Sequence, residues 1–345
     1  MAGAGYRTFA SGEVLTANNV QTYLMDQAVQ VYAGTAARSS AVPSPSTGMV
    51  AYSTATGLQV FNGSAWVNVG GGYATISGGA STALGTAIGG ITYNVHTFSA
   101  DANLVVTTAG LIDVLLVGGG GGAGGSDPGQ NASGGGGAGA VIGLAATTTI
   151  YLAASTYAVD IGAGGAGATA ANPGTEGSES EIGSIISAAG GGAGGGYSVN
   201  TSEKATGVGR DGGSGGGSSI ASPFNGKSIC EKFGNDGGVG AWATSAGGGG
   251  GYSSAGGAGV STTGGSGGNG VDISSWIGGA TKNVAAGGGG GATGTGGAAG
   301  TGGVAGKTSG AGNNATTEGS GGGGSVASTG GAGFAGIVYV RVKTS

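Results

Sequence analysis

One cysteine, Cys230, and one histidine, His96, are all that this 345-residue chain offers to thiol and imidazole chemistry. No internal disulfide can form. A Ser-His-Asp or Cys-His arrangement has no second histidine to draw on, and a zinc site of the Cys/His type cannot be built. The expectation is a chain without enzymatic activity, metal or cofactor, with His96 a partly buried strand residue. Charge is scarce too: 7% of residues are charged, Lys and Arg total 10, Asp and Glu total 15, and the formal net charge is −5. That leaves no basic patch for nucleic acid. No apolar stretch approaches the roughly 20 residues that span a bilayer, and the opening MAGAGYRTFASGEV lacks a signal-peptide core. An unsecreted product with no membrane insertion is expected. Six Phe, three Trp and three Met supply little material for an aromatic core, so extended, shallow β architecture suits the composition better than a compact enzyme.

What the chain has is glycine, 93 residues of it. The organising stretch is Ile112 to Gly125, IDVLLVGGGGGAGG, where an apolar run passes directly into glycine. The same signature recurs at 134–139, 190–196, 212–217, 247–251, 287–291 and 319–324. Glycine lacks a Cβ, so another backbone can approach such a run from every side. The regular conformation open to it is a left-handed helix of the polyproline II kind, with three residues per turn and no internal hydrogen bonds. Its amides must then pair with neighbours. The fold expected is mainly β with a lattice of polyglycine II helices, and the Ala, Thr and Ser that interrupt the runs should sit outside the lattice or at its ends. Disorder is the competing reading for so much glycine, but low charge and positive mean hydropathy depart from a solvated coil. Collagen is excluded by the missing Gly-X-Y period, and aspartates do not recur as in calcium-binding β-helices.

Three segments are expected: 1–35 helical, 36–72 a small β-meander, and 73–345 a glycine-rich β domain. Thr16 caps a helix carrying Val20, Tyr23, Leu24, Ala28 and Val31 at helical spacing, and Gly34 stops it. That apolar stripe packs either on the hairpins that follow or on copies of itself in a three-helix bundle. Met49–Tyr52, Leu58–Phe61 and Ala65–Val69 read as strands joined at Thr56-Gly57 and Asn62-Gly63, with Tyr52, Phe61 and Trp66 clustered on one side. The helix together with PSTGMVAYSTATGLQVFNGSAWVNV resembles the amino-terminal modules of tailed-phage structural proteins, minor tail and fibre proteins above all. The resemblance implies a virion location and docking to other virion proteins through residues 1–72.

Gly70–Gly72 form a hinge, and a polar, small-residue segment follows to about Gly90. Tyr93–Phe98, Asn103–Thr107 and Leu111–Val117 are expected as antiparallel strands of one sheet. Further strands fall at Ala140–Leu144, Thr148–Leu152, Tyr157–Ile161 and Glu181–Ile186, and Gly336–Val342 closes the domain by pairing with Ile112–Val117. VHTFSADANLVVTTAGLIDVLLVGGGGGAGG, TYAVDIGAGGAG and the closing GFAGIVYVRV resemble the glycine-rich distal domain of phage tail-fibre adhesins, over residues 91 to 342. The resemblance implies sandwiched polyglycine helices whose loops meet a host-cell glycan or protein, and fibres of this kind are commonly homotrimers.

The segments between the runs hold most of the bulky side chains. Tyr197, Phe224, Phe233, Trp242, Tyr252 and Trp276 are the receptor-contact candidates, because aromatics give large contact area at low entropy cost; the alternative for each is a cap on the lattice. Gly306-Lys307-Thr308 matches the end of a phosphate loop, but no apolar strand precedes it. The reading is a tail fibre or adhesin. Its rivals are a head fibre or capsid decoration protein and, outside the virion, a glycine-rich structural or ice-binding protein, for which a regular Thr or Ala array would be needed and none is read in the sequence.

Overall fold

The computed structural model describes residues 10–14, 16–20, 29–54, 57–69, 72–129, 131–197, 206–219, 225–229, 233–241 and 244–344. The chain divides into two compact units, residues 1–72 and 73–345.

In the first unit, helix α1 covers Ala17–Val20 and residues 21–28 of the expected helix lie outside the described residues. The helix does not reach Val31. Strand β1 (Gln30–Tyr32) instead pairs in parallel with β2 (Val50–Ser53), matching Val31 to Tyr52. Backbone pairing wins there over a helical apolar spacing, and it places residues on both sides of position 35 in one sheet. Gly34 precedes a second helix, α2 (Thr35–Ala41), rather than ending a first. The meander continues through β3 (Gly57–Phe61) and β4 (Trp66–Asn68) in the order β1-β2-β3-β4. At the turn between these two strands, Asn62 Oδ1 accepts the N–H groups of Ser64 (3.0 Å) and Ala65 (2.9 Å), and Gly63 has φ +104°. Phe61 and Trp66 pair across the strands with rings 5.7 Å apart. Buried Arg38 of α2 lies 4.7 Å over Trp66 and donates to Gln59. Tyr52 is not part of this cluster: its register partner is Leu58, which puts it on the opposite face, 42% exposed.

The second unit opens with β5 (Thr75–Ser77), β6 (Ser81–Ile88), β7 (Ile91–Phe98), β8 (Ala102–Thr108) and β9 (Gly110–Val117). Next come β10 (Val141–Ile142), β11 (Thr148–Leu152), β12 (Ser155–Asp160), β13 (Ser180–Ile182) and β14 (Ile186–Ala188). A two-stranded pair, β15 (Val271–Asp272) and β16 (Asn283–Val284), flanks helix α3 (Ser274–Ile277), and β17 (Ile337–Lys343) closes the domain. One sheet has the order β10-β9-β17-β7-β6 with β11 also on β9; the other has the order β14-β13-β12-β8-β5. Strand β17 lies antiparallel between β9 and β7, with Ile337 opposite Val117, so the glycine-rich region starts and ends at adjacent points of one sheet.

Phe98, Leu104, Ile112, Leu116, Val159, Ile182 and Val340 come from both sheets into a single core. The far face of β9 and β17 is covered as well, by Ile273, Trp276 and Val284 over Leu115, Val117 and Tyr339. Burial on both faces explains why these strands read as near-continuous apolar runs. Three expectations change. Strand β8 belongs to the second sheet, not beside β7 and β9. The segment 181–186 is a hairpin turning at Gly183 (φ +51°), not one strand. The polar segment before Gly90 contains β6, which pairs with β7 across a bulge between Ala83 and Thr86.

The glycine runs are neither α-helix nor strand, and their hydrogen bonds repeat every third residue. The N–H groups of Gly118, Gly121 and Gly124 donate to the carbonyls of Ala140, Gly137 and Gly134. Those of Gly119, Gly122 and Gly125 reach Ser178, Thr175 and Asn172; those of Gly120, Ala123 and Ser126 reach Phe334, Gly331 and Ser328. Carbonyls of the same run accept from Gly191, Gly194 and Tyr197, from Gly165 and Ala168, and from Gly322. One run thus bonds to six neighbours, three as donor and three as acceptor. Space between runs is filled by backbone: a Cβ at Gly121 would overlap the carbonyl of Gly192, and one at Gly136 the carbonyl of Gly121. Contrary to expectation, several non-glycine residues lie inside. Ser320 is buried because its hydroxyl accepts the N–H of Ala286 (3.0 Å), and Ser133 and Ser325 because their hydroxyls meet at 3.0 Å. Ala138 is buried where the lattice joins the apolar cluster of the base, and Ala123 and Ala193 are buried within their runs.

Candidate functional site

The chain travels up and down the lattice, so its connections fall at two ends. One end is the β base. At the other, the free end, lie 127–129, 131–132, 169–173, 260–263, 293–295, 308–311 and 327–329, together with the described residues 197, 206, 219, 225, 241 and 244, as the pairing of successive runs requires. Three of these connections are tied together. Thr293 donates its N–H to Thr244 (2.9 Å), Gly294 and Thr295 donate theirs to Thr262 (3.0 and 2.9 Å), and Thr244 Oγ1 donates to the carbonyl of Ser261 (2.6 Å). Thr244, Thr262, Thr263 and Thr295 are exposed, and Val260 beside them is 65% exposed. Ser261 is held at φ +52° to make the turn. The result is a fixed, uncharged surface of hydroxyls around one apolar side chain, suited to hydrogen-bonding a polar ligand. The recurrence of threonine at the ends of runs is the sequence signal that marks it.

The four described aromatic candidates, Tyr197, Phe233, Tyr252 and Trp276, do not form one patch. Tyr197 stands at the free end but is 5% exposed; its N–H donates to Gly125 (2.9 Å), and burial pushes its phenol pKa up. Phe233 is half-buried at the base end, where its carbonyl accepts the N–H of Val141 (3.3 Å). Tyr252, also at the base, donates its N–H to Ala285 (3.0 Å) and packs on the outer cluster of the sheet, and burial raises its phenol pKa. Trp276 is 3% exposed, 4.2 Å from the Arg341 guanidinium and 6.4 Å from the Tyr339 ring. It is part of the core rather than a receptor contact, because the outer face of β9 and β17 needs a cover. The turn that brings it there was visible as Asp-x-Ser: Asp272 Oδ1 accepts the N–H groups of Ser274 (2.9 Å) and Lys282 (3.0 Å). Phe224 and Trp242 lie outside the described residues.

Among the described residues, the buried titratable groups of the glycine-rich unit serve its fold. Asp113 and Arg341, opposite each other on β9 and β17, form a buried ion pair at 3.1 Å, with the guanidinium also 4.3 Å over Tyr93. His96 is buried, its Nδ1 3.0 Å from the carbonyl of Gly78 and 3.1 Å from Thr82 Oγ1. Lys307 ends a glycine run, and its N–H donates to Gly324, which is lattice pairing rather than a phosphate cradle. Among the described residues, no group of three His, Cys, Asp or Glu is placed to hold a metal ion, and no helix is long and apolar enough to cross a membrane.

A family model described as a glycine-rich domain matches residues 97–343. The chain belongs to that family. The glycine-rich domain so defined begins within β7 and ends at the last residue of β17, taking in the lattice and most of its base but none of the first unit. Comparison with curated proteins yields no match.

Proposed function

We propose that this chain is a virion structural protein of a tailed phage, a tail fibre or adhesin without enzymatic activity or cofactor. The unit 1–72 docks to other virion proteins, and the glycine-rich domain presents its free end to a host-cell glycan or protein. We also assign the glycine runs to polyglycine II helices. Three-residue hydrogen-bond periodicity supports that assignment, since three residues per turn point successive amides in three directions about 120° apart. The observation that carries the functional reading is the segregation of connections: five fully described connections, and the described ends of four more, lie at the end of the lattice away from the β base. Loops on a rigid scaffold are the usual place for recognition.

Immunogold electron microscopy of virions with antibody against residues 73–345 tests the reading. Label on the tail tip or fibres supports it. Label over the head makes the protein a head fibre or decoration protein, and virions free of label overturn the virion assignment. The ice-binding rival has one observation in its favour: Ala163, Ala166 and Thr169 are exposed at every third position of one run. A thermal-hysteresis measurement on the purified protein tests it, and an ice-binding face requires such a row to repeat on neighbouring runs.

A further inference from the structure

Where glycine follows asparagine or aspartate, the glycine nitrogen can attack the preceding side chain, because no Cβ crowds the approach. Five such pairs occur in the chain: Asn62-Gly63, Asp211-Gly212, Asn225-Gly226, Asp236-Gly237 and Asn269-Gly270. The attacking nitrogen must first give up its proton, so an N–H already held by a carbonyl is a poor nucleophile. In four of the pairs it is held. The N–H groups of Gly212, Gly226, Gly237 and Gly270 donate to the carbonyls of Lys227 (3.2 Å), Gly216 (2.9 Å), Gly226 (3.0 Å) and Thr301 (3.0 Å), and all four glycines are buried. Two of the side chains are fixed as well: Asn225 Nδ2 donates to the carbonyl of Gly237 (2.7 Å), and Asn269 Oδ1 accepts the N–H of Thr301 (2.9 Å).

Asn62-Gly63, in the turn between β3 and β4, differs on each count. Both residues are exposed, and the N–H of Gly63 makes no hydrogen bond among the described residues. Asn62 Oδ1 accepts three hydrogen bonds, from the N–H (3.0 Å) and hydroxyl (3.0 Å) of Ser64 and the N–H of Ala65 (2.9 Å). A side-chain oxygen bound to amides two and three residues onward folds its carbon back over the intervening nitrogen, which is that of Gly63. The same three donors stabilise the negative charge that the oxygen takes up when its carbon is attacked, as an oxyanion hole does.

We propose that Asn62 is a site of spontaneous covalent modification, by succinimide formation and conversion to aspartate and isoaspartate, and that backbone pairing in the glycine-rich unit protects the other four pairs. Hydroxide removes the Gly63 amide proton, the nitrogen bonds to Asn62 Cγ, and the tetrahedral intermediate expels the side-chain nitrogen as ammonia, leaving a five-membered succinimide. Water then opens the ring at either carbonyl. One opening gives aspartate on the original backbone; the other gives isoaspartate, in which the main chain runs through Cβ and is one atom longer. Either product adds a negative charge to the turn. The longer backbone falls between Phe61 and Trp66, register partners with rings 5.7 Å apart, so isoaspartate disturbs their pairing. The chemistry depends on the turn alone and is the same whether or not the protein is an adhesin.

Ageing the full chain at several pH values and mapping its peptides by mass spectrometry tests this, with enzymatic methylation of isoaspartate as a second readout. In the folded chain, ammonia loss at Asn62 is expected to outpace that at Asn225 and Asn269 by about tenfold or more, the factor that one hydrogen bond of ordinary net strength represents. The rate should rise with pH in proportion to hydroxide, and methylation should map to position 62. In denaturant the three asparagines are expected to react at similar rates, because the difference lies in the fold and not in the dipeptide. Asn62→Gln cannot close the five-membered ring and should stay free of the tryptophan-fluorescence change that isoaspartate brings to the aged wild type. Equal rates at the three asparagines of the folded chain, an Asn62 amide that outlasts the other two, or a spread of rates that persists in denaturant would overturn the proposal.

Discussion

The β base and the glycine lattice bury their backbones in opposite ways. In the base, side chains fill the space between two sheets, and Phe98, Leu104 and Ile112 are each fully excluded from solvent. Burying a side chain of that size contributes about 1.5–3 kcal/mol. In the lattice, backbones fill the space themselves, and the side chains admitted are mostly those of alanine and serine. Its stability must come from hydrogen bonds worth about 0.5–1.5 kcal/mol net each, with Cα–H···O contacts and dispersion added. Opposed to these is the backbone entropy of glycine, the largest of any residue. The lesson is one of sign: the base suffers when atoms are removed, the lattice when they are added. Strands β9 and β17, which enter and leave the lattice as register partners, join the two regimes.

The comparison breaks most visibly at Gly289, where a Cβ would overlap the carbonyl of Gly297. Gly289→Val is expected to cost more than about 4 kcal/mol, in the range reserved for steric failure of a packed interior; a thermal unfolding curve that matches wild type would refute close packing of the runs. The mirror experiment is Phe98→Ala, which removes atoms from the base and should cost about 3–5 kcal/mol by leaving a cavity. Chemical denaturation of the two variants side by side checks the sign argument. Arg341→Ala is expected to cost roughly 3–5 kcal/mol, because it strands buried Asp113 without its partner. Replacing both residues by apolar ones should recover much of that loss, and a double-mutant cycle measures how much.

The smallest effect is expected in acid. Asp272 is held below its ordinary value of 3.8 by the backbone N–H groups of Ser274 and Lys282 and by the Ser274 hydroxyl. For Asp236, burial alone would raise the pKa, but hydrogen bonds from Lys227 and from the backbone of Ser228 together hold it below 3.8. A carboxylate with a depressed folded pKa adds stability that is complete above its unfolded value and is lost as pH falls through the folded one. Melting temperature should therefore decline slightly below about pH 4, and Asp272→Asn should flatten that decline. Both groups are solvent-accessible, which keeps the effect small. A melting temperature that fell equally in wild type and variant would assign the decline elsewhere.

Several elements were legible because one local signal sufficed. IDVLLV and GIVYVRV are apolar without alternation, which only strands covered on both faces require, and their pairing was readable from their places on either side of the glycine region. The meander 50–68 announced itself through Asn62-Gly63 and period-two patterning. Other elements carried no such signal. Strand β6, STALGTAI, is made by pairing with β7 rather than by burial, and Leu84 within it is 74% exposed. Val31 fits a helical spacing and a strand equally well until β2 is present to accept it. Trp276 has the composition of a recognition residue and the position of a core residue. Only the fold over β9 and β17 separates the two.

The sequence by itself determined that the runs must pack backbone to backbone, because glycine offers nothing else to pack, and that their amides must pair between runs. It also determined where the base lies, since apolar strands stand at both ends of the glycine-rich region. Tertiary structure alone decided which run neighbours which and which loops share the free end. Identical runs carry no label that tells one neighbour from another. Their order is set by the lengths and turns of the connections and by the serines and alanines that fit at single points of the lattice, and those constraints act only once the runs are assembled.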